Sequence, residues 1–137
     1  MLFGVAAYWN YHVYFGGVWD HLKAFPFNAG GSGLLSTSPT SQSPEVFQFP
    51  GPTPSISSYG PRDGIVWIIE SDAYGSNGPA VLRAYDAANL ANELYNSNQN
   101  NSRDTPGPAV KFSVPTVVNG KVYVGTANQL AVYGLLN

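Results

Sequence analysis

The most suggestive pair in the chain is Asp20-His21, a carboxylate beside an imidazole, since such a dyad can polarise a hydroxyl nucleophile. No particular serine is placed to give up the proton, and the corresponding residues near the C-terminus, Asn128-Gln129, are neutral amides. Asp20 and His21 therefore read as polar residues capping a hairpin turn. Glu70 and Asp72 are two apart at the expected end of a strand, which puts both carboxylates on one face. Glycoside hydrolysis needs its two carboxyls on opposite sides of the bond, so these read as solvated strand-end charges. His12 precedes a strand and reads as a solvent-facing residue rather than a metal ligand, and Asp86 reads as structural. Three aromatics sit where turns or loops are expected, Trp19, Tyr59 and Tyr74, and form a candidate binding rim. Trp67, flanked by aliphatic residues, is assigned to the core.

These residues must be held by strands. Only 10% of residues are charged, against a typical value of about 25%, while aromatics make 14% and there are 15 Gly and 11 Pro. Aromatic and β-branched residues suit a pleated, half-buried surface, and Gly and Pro mark turns. The composition is that of an all-β chain, long enough for a packed core. A net charge of −2 with six Lys and Arg offers no cationic cluster for nucleic acid or an anionic membrane. The absence of cysteine rules out disulfides, thiolate metal sites and a thiol nucleophile. Residues 1–10 lack a basic n-region and are interrupted by Tyr8, Trp9 and Asn10, so they read as the start of a strand and not as a signal peptide.

The strands recur. Asn119-Gly120-Lys121-Val122-Tyr123-Val124-Gly125 aligns with residues 10–16 and with residues 63–69, each a turn dipeptide followed by an aliphatic-aromatic pair. Asn-Gly supplies the two positive φ values of a type I′ hairpin. Each copy then delivers a third strand, at Leu22-Lys23-Ala24-Phe25, Leu82-Arg83-Ala84-Tyr85 and Leu130-Ala131-Val132-Tyr133. Fourth, outer strands are expected at residues 34–37 and 94–97, with polar connectors at 36–44 and 96–108 and rim loops at 58–62 and 73–79. The spacings of 53 and 56 residues lie near the roughly 40 to 50 of propeller blades. One domain of about two and a half four-stranded blades follows, with repeats at 5–38, 46–99 and 110–136, the last lacking its outer strand.

Residues 82–94 resemble the blade signature A-x-D-x-x-T-G-x-x-x-W of the quinoprotein-like, pyrroloquinoline-quinone-repeat β-propellers. Ala84 and Asp86 match its first two fixed positions, whereas Asn89, Leu90 and Leu94 replace Thr, Gly and Trp. In the first copy Ala24 and Gly30 match, and Pro26 and Leu34 depart. The whole chain is similar to the C-terminal portion of large exported bacterial propellers of this type. The resemblance implies a ring of seven or eight blades, of which this chain would be a fragment, the remaining blades being its partners. It also implies a periplasmic or extracellular parent, and a signature aspartate that accepts turn hydrogen bonds. Some relatives bind pyrroloquinoline quinone and calcium, and the alternative reading is a piece of such a dehydrogenase. A second alternative is a carbohydrate-binding propeller using Trp19, Tyr59 and Tyr74. The first expectation is a non-catalytic scaffold or binding module with a protein or glycan ligand and no cofactor.

Overall fold

Alternation of apolar residues along short strands, each closed by a tight turn, builds three antiparallel meanders. The computed structural model describes residues 1–28 and 31–135; Gly30 of the signature and Leu136 at the end of the third repeat lie outside them. The first sheet contains β1 (Ala7–Trp9), β2 (His12–Phe15), β3 (Asp20–Pro26) and β4 (Ser41–Phe47), in that order. The second contains β5 (Ser55–Tyr59), β6 (Arg62–Glu70), β7 (Val81–Asp86) and β8 (Glu93–Asn96). The third contains β9 (Thr116–Val118), β10 (Lys121–Gly125) and β11 (Leu130–Tyr133), and among the described residues it has no fourth strand. The chain is all-β and propeller-like, with the first strand of each sheet against the first strand of the next, β1 on β5 and β5 on β9.

Tight turns set these meanders. Asn119 and Gly120 take φ of 51° and 69°, the type I′ pattern, and Asn10 and Tyr11 repeat it with 44° and 60°. The middle copy departs from the expected Asp63-Gly64 turn. Its hairpin turns at Gly60-Pro61, between the paired residues Tyr59 and Arg62, so part of the expected 58–62 loop belongs to β5 and β6. A positive φ at Gly60, followed by proline's fixed negative one, matches type II′. Asp63, at φ 53°, instead sits in a register shift. Gly64 remains necessary for another reason: a Cβ there would lie 2.7 Å from the Trp9 ring.

The outer strand of the first sheet is also displaced. Residues 34–37 were the expectation, but β4 is Ser41–Phe47, within and beyond the expected polar connector, while Leu35 makes only an isolated bridge to Phe27. The reason lies in the alternation Ser43, Glu45, Phe47: these point inward, where Ser43 accepts the Leu22 amide and Phe47 joins the core. Leu34 is 67% exposed and belongs to neither core cluster. In the second sheet the expectation of residues 94–97 matches β8 closely.

Cross-strand partners share a face, so β6 divides the core in two. Val66 and Ile68, with Tyr85, pack on Tyr14, Leu22, Ala24 and Phe47 of the first sheet. Trp67 and Ile69, with Leu82, pack on Val122 and Val124 of the third. The middle sheet is thus covered on both sides. Removing a fully buried side chain leaves a cavity as well as lost transfer energy, so Leu82→Ala is expected to cost about 3 kcal/mol. Leu94→Ala, on a half-exposed outer strand, should cost less than about 1 kcal/mol. Urea unfolding of the two variants checks this, and equal losses would contradict the assignment.

Candidate functional site

A recess lies between the second and third sheets, beside β11. The face of β8 that looks toward the third sheet carries Tyr95, and no strand lies outside β11 among the described residues to cover it. A groove of about 850 Å³ results, with Trp67, Tyr95, Val122, Ala131 and Tyr133 as its apolar lining. This volume is in the range of small-molecule and peptide clefts. Trp67 is fixed by its indole N–H, which donates to Ser57 Oγ at 2.8 Å.

The polar rim of the groove is centred on Asp104, at the end of the short helix α1 (Asn101–Asp104). The Tyr95 hydroxyl donates to Asp104 Oδ2 at 2.9 Å, and the Tyr133 hydroxyl donates to the Asp104 carbonyl at 2.7 Å. Arg103 Nη2 donates to Oδ2 at 2.7 Å, and its Nε to Oδ1. The Arg103 hydrogen bonds hold the Asp104 carboxyl below its ordinary range, against the opposing effect of burial and with help from Tyr95. Burial, then the Asp104 charge, pushes the Tyr133 hydroxyl up to about 12. The tyrosines therefore stay neutral donors at neutral pH and lock α1 onto the second and third sheets.

A second polar centre ties the first sheet to the second. Arg83, on β7, reaches Glu70 Oε2 at 2.6 Å, Glu93 Oε1 at 2.6 Å and Glu45 Oε1 at 3.4 Å, and the Tyr85 hydroxyl donates to Glu45 Oε2 at 2.6 Å. Glu70 is thus part of a half-buried ion network and not a solvated end charge. Asp72 is turned away from it, accepting the Gln48 amide at 3.2 Å from the first turn of a 3₁₀ segment, Asp72–Ser76. Burial raises its carboxyl more than that hydrogen bond lowers it. The two carboxylates have separate structural tasks.

Asp20 and His21 are the first residues of β3; the turn itself is at Val18-Trp19. The His21 ring is directed away from the carboxylate, with Nδ1 2.9 Å from the Glu45 carbonyl, while Asp20 pairs with Lys23 at 2.7 Å and accepts the His21 amide. Burial raises the Asp20 carboxyl, but Lys23 and the His21 amide outweigh it and leave it below its ordinary value. His12 Nδ1 lies 3.1 Å from the Asn10 carbonyl, against the Tyr14 ring. Asp86 accepts the Ala88 amide at 2.8 Å in a tight turn.

The three rim aromatics do not meet. Tyr59 is 80% exposed at the end where β5 turns into β6, next to the β1–β2 turn, as the Trp9 indole bond to the Gly60 carbonyl shows. Trp19 and Tyr74 lie in the β2–β3 and β6–β7 connections, at the opposite end. Trp19 is 68% exposed. Tyr74 joins an aromatic group absent from the sequence reading: it meets Phe49 edge-on at 5.9 Å, Phe49 meets Phe3 and Phe112, and the Lys111 ammonium lies 4.6 Å above the Tyr74 ring. That cation–π contact ties the β8–β9 connection to the β6–β7 connection. No sequence pattern marks it, because its members come from the segment before β1 and from three separate connections.

Among the described residues no calcium cage for pyrroloquinoline quinone is assembled. Calcium takes six to eight oxygen ligands; Asp20 and Asp72, on the Trp19 end, are engaged as described, Glu45, Glu70 and Glu93 converge on the Arg83 guanidinium, and among the described residues no three His, Asp or Glu side chains are placed to hold a metal ion.

The Tyr133 hydroxyl gives a pH test. Its folded-state pKa is raised above the ordinary 10.0. Its stabilising share is therefore complete below pH 10 and is lost as pH rises through about 12. Tyr133→Phe is expected to cost about 1 kcal/mol at pH 8 through the lost hydrogen bond, and less at pH 11.5. Denaturant midpoints at the two pH values check it; a pH-independent difference would refute it. Comparison with protein-family models, curated proteins and solved structures finds no match for this chain, so the functional reading rests on the fold and the groove.

Proposed function

We propose that the chain is a non-catalytic propeller-type scaffold and binding module, and that its ligand is an extended protein segment added to the free edge of β11. One observation carries this reading: an open strand edge borders an apolar groove of about 850 Å³. An edge strand presents unpaired N–H and C=O groups, and a peptide added there gains main-chain hydrogen bonds while alternate side chains fill the groove. Trp67, Tyr95 and Tyr133 supply the rigid aromatic walls on which such anchors gain most. The polar side chains that raised catalysis are engaged in structural hydrogen bonds, which supports binding over chemistry. The resemblance to quinoprotein-like propellers agrees with this reading through its architecture alone.

The repeat itself provides a probe. β8 is the outer strand of the second sheet, at the position left open in the third, so a synthetic peptide of residues 91–98 stands in for the ligand. Saturable binding with slowed amide exchange along β11 is expected, together with a change in Trp67 fluorescence. Ala131→Arg, which fills the groove, should weaken binding roughly tenfold or more through the loss of about 1.4 kcal/mol of contact. Unchanged β11 exchange at saturating peptide would overturn the proposal.

A further inference from the structure

The two outermost sheet faces are complementary to each other. At both internal junctions the same positions meet. Tyr14, Leu22 and Ala24 of the first sheet face Val66, Ile68 and Tyr85 of the second. Trp67 and Leu82 of the second face Val122, Val124 and Tyr133 of the third. By the repeat, Tyr123, Leu130 and Val132 continue the first series, and Val13, Phe15 and Phe25 continue the second. Pairing register puts each of these two sets on the outer face of its sheet. Leu130 and Val132 are more than half exposed, and Phe15 stacks on Phe25 with centroids 4.7 Å apart on the other open face.

The polar positions say which kind of neighbour the first sheet expects. Facing backward, Tyr85 sends its hydroxyl, and Arg83 its guanidinium, to Glu45 on the outer strand of the sheet before. Tyr133 likewise reaches Asp104, just beyond the outer strand of the sheet before. The equivalent residues of the first sheet make no such demand: Phe25 has no hydroxyl, and Lys23 is paired with Asp20 of its own strand. The first sheet is thus suited to a preceding sheet without an outer strand, and among the described residues the third sheet is one.

We propose that the third sheet of one copy packs on the first sheet of a second copy, and the reverse, closing a two-copy ring of six sheets. A head-to-tail contact forms a ring when its rotation closes. Closed propellers have about four to eight blades, and multiples of three sheets in that range allow two copies only. This inference rests on the propeller-type reading but not on the β11 groove, which remains open on the outside of such a ring.

Sedimentation equilibrium of the 137-residue chain is expected to give twice 14.6 kDa. Phe15→Glu and Tyr123→Glu each put an unpaired carboxylate into every junction of a ring, and each alone should raise the dissociation constant at least roughly a hundredfold. Both sites are partly exposed in one copy, so circular dichroism and the β11 peptide assay should be unchanged. Mixing the two variants leaves one junction intact and should restore a two-copy species. A monodisperse monomer of the unaltered chain, or a dimer indifferent to both substitutions, overturns the proposal. Failure of the mixture to associate shows a like-with-like contact, and open polymers that grow with concentration show a contact that does not close; either result also overturns the ring. None of these results bears on peptide addition at β11, so the two readings fail separately.

Discussion

The structure depends on a two-sided requirement placed on β6. A strand sends successive side chains to opposite faces, and in β6 both faces are core: Val66 and Ile68 go one way, Trp67 and Ile69 the other. A sheet buried on both faces has few positions for a charge, which is the physical source of the unusual composition. The charges that remain are used where sheets must be held in register. Arg83 satisfies carboxylates from three different strands, and against the opposing effect of burial those partners keep it firmly protonated. Tyr85 and Tyr95 do similar work with single hydroxyls, each raised by burial and by the carboxylate that accepts its hydrogen bond.

Much of this was legible in the sequence, for an identifiable reason. The Asn119-Gly120 turn, the strands around it and the alignment of Val13, Val66 and Val122 all depend on local chemistry: φ at two residues and a period of two. The structure places the aligned residues Tyr14 and Trp67 on equivalent faces. What was misplaced depended on distant partners. Leu34-Leu35 is a better local strand than Ser41–Phe47, yet the latter wins because Glu45 finds Arg83 and Tyr85 across the sheet junction. Asp63-Gly64 is a better local turn than Gly60-Pro61, yet Gly64 is needed under the Trp9 ring. In both cases a long-range contact overrode a local preference.

The site was less legible than the fold. The groove is made by what is missing outside β11, and its rim by a serine- and asparagine-rich connector that folds back so that Asp104 meets two tyrosines. Tyr95 and Tyr133 carried no signal beyond being strand aromatics. Conversely, the adjacent Asp20 and His21 carried a strong signal and proved to be directed apart, because neighbours along a strand face opposite ways.

The order of strands within each sheet, which follows the chain without a crossover, bears on how the molecule responds to force. Tension applied at Ala7 and Tyr133 loads β1 and β11, each an edge strand bound by hydrogen bonds to one neighbour. Hydrogen bonds of an edge strand pulled outward break one after another rather than together, so resistance is low at the ends. The middle sheet, clamped by both cores and by Arg83, lies in series behind them and is the last to yield. The molecule is therefore built to give way gradually from its flanks while its centre keeps its shape.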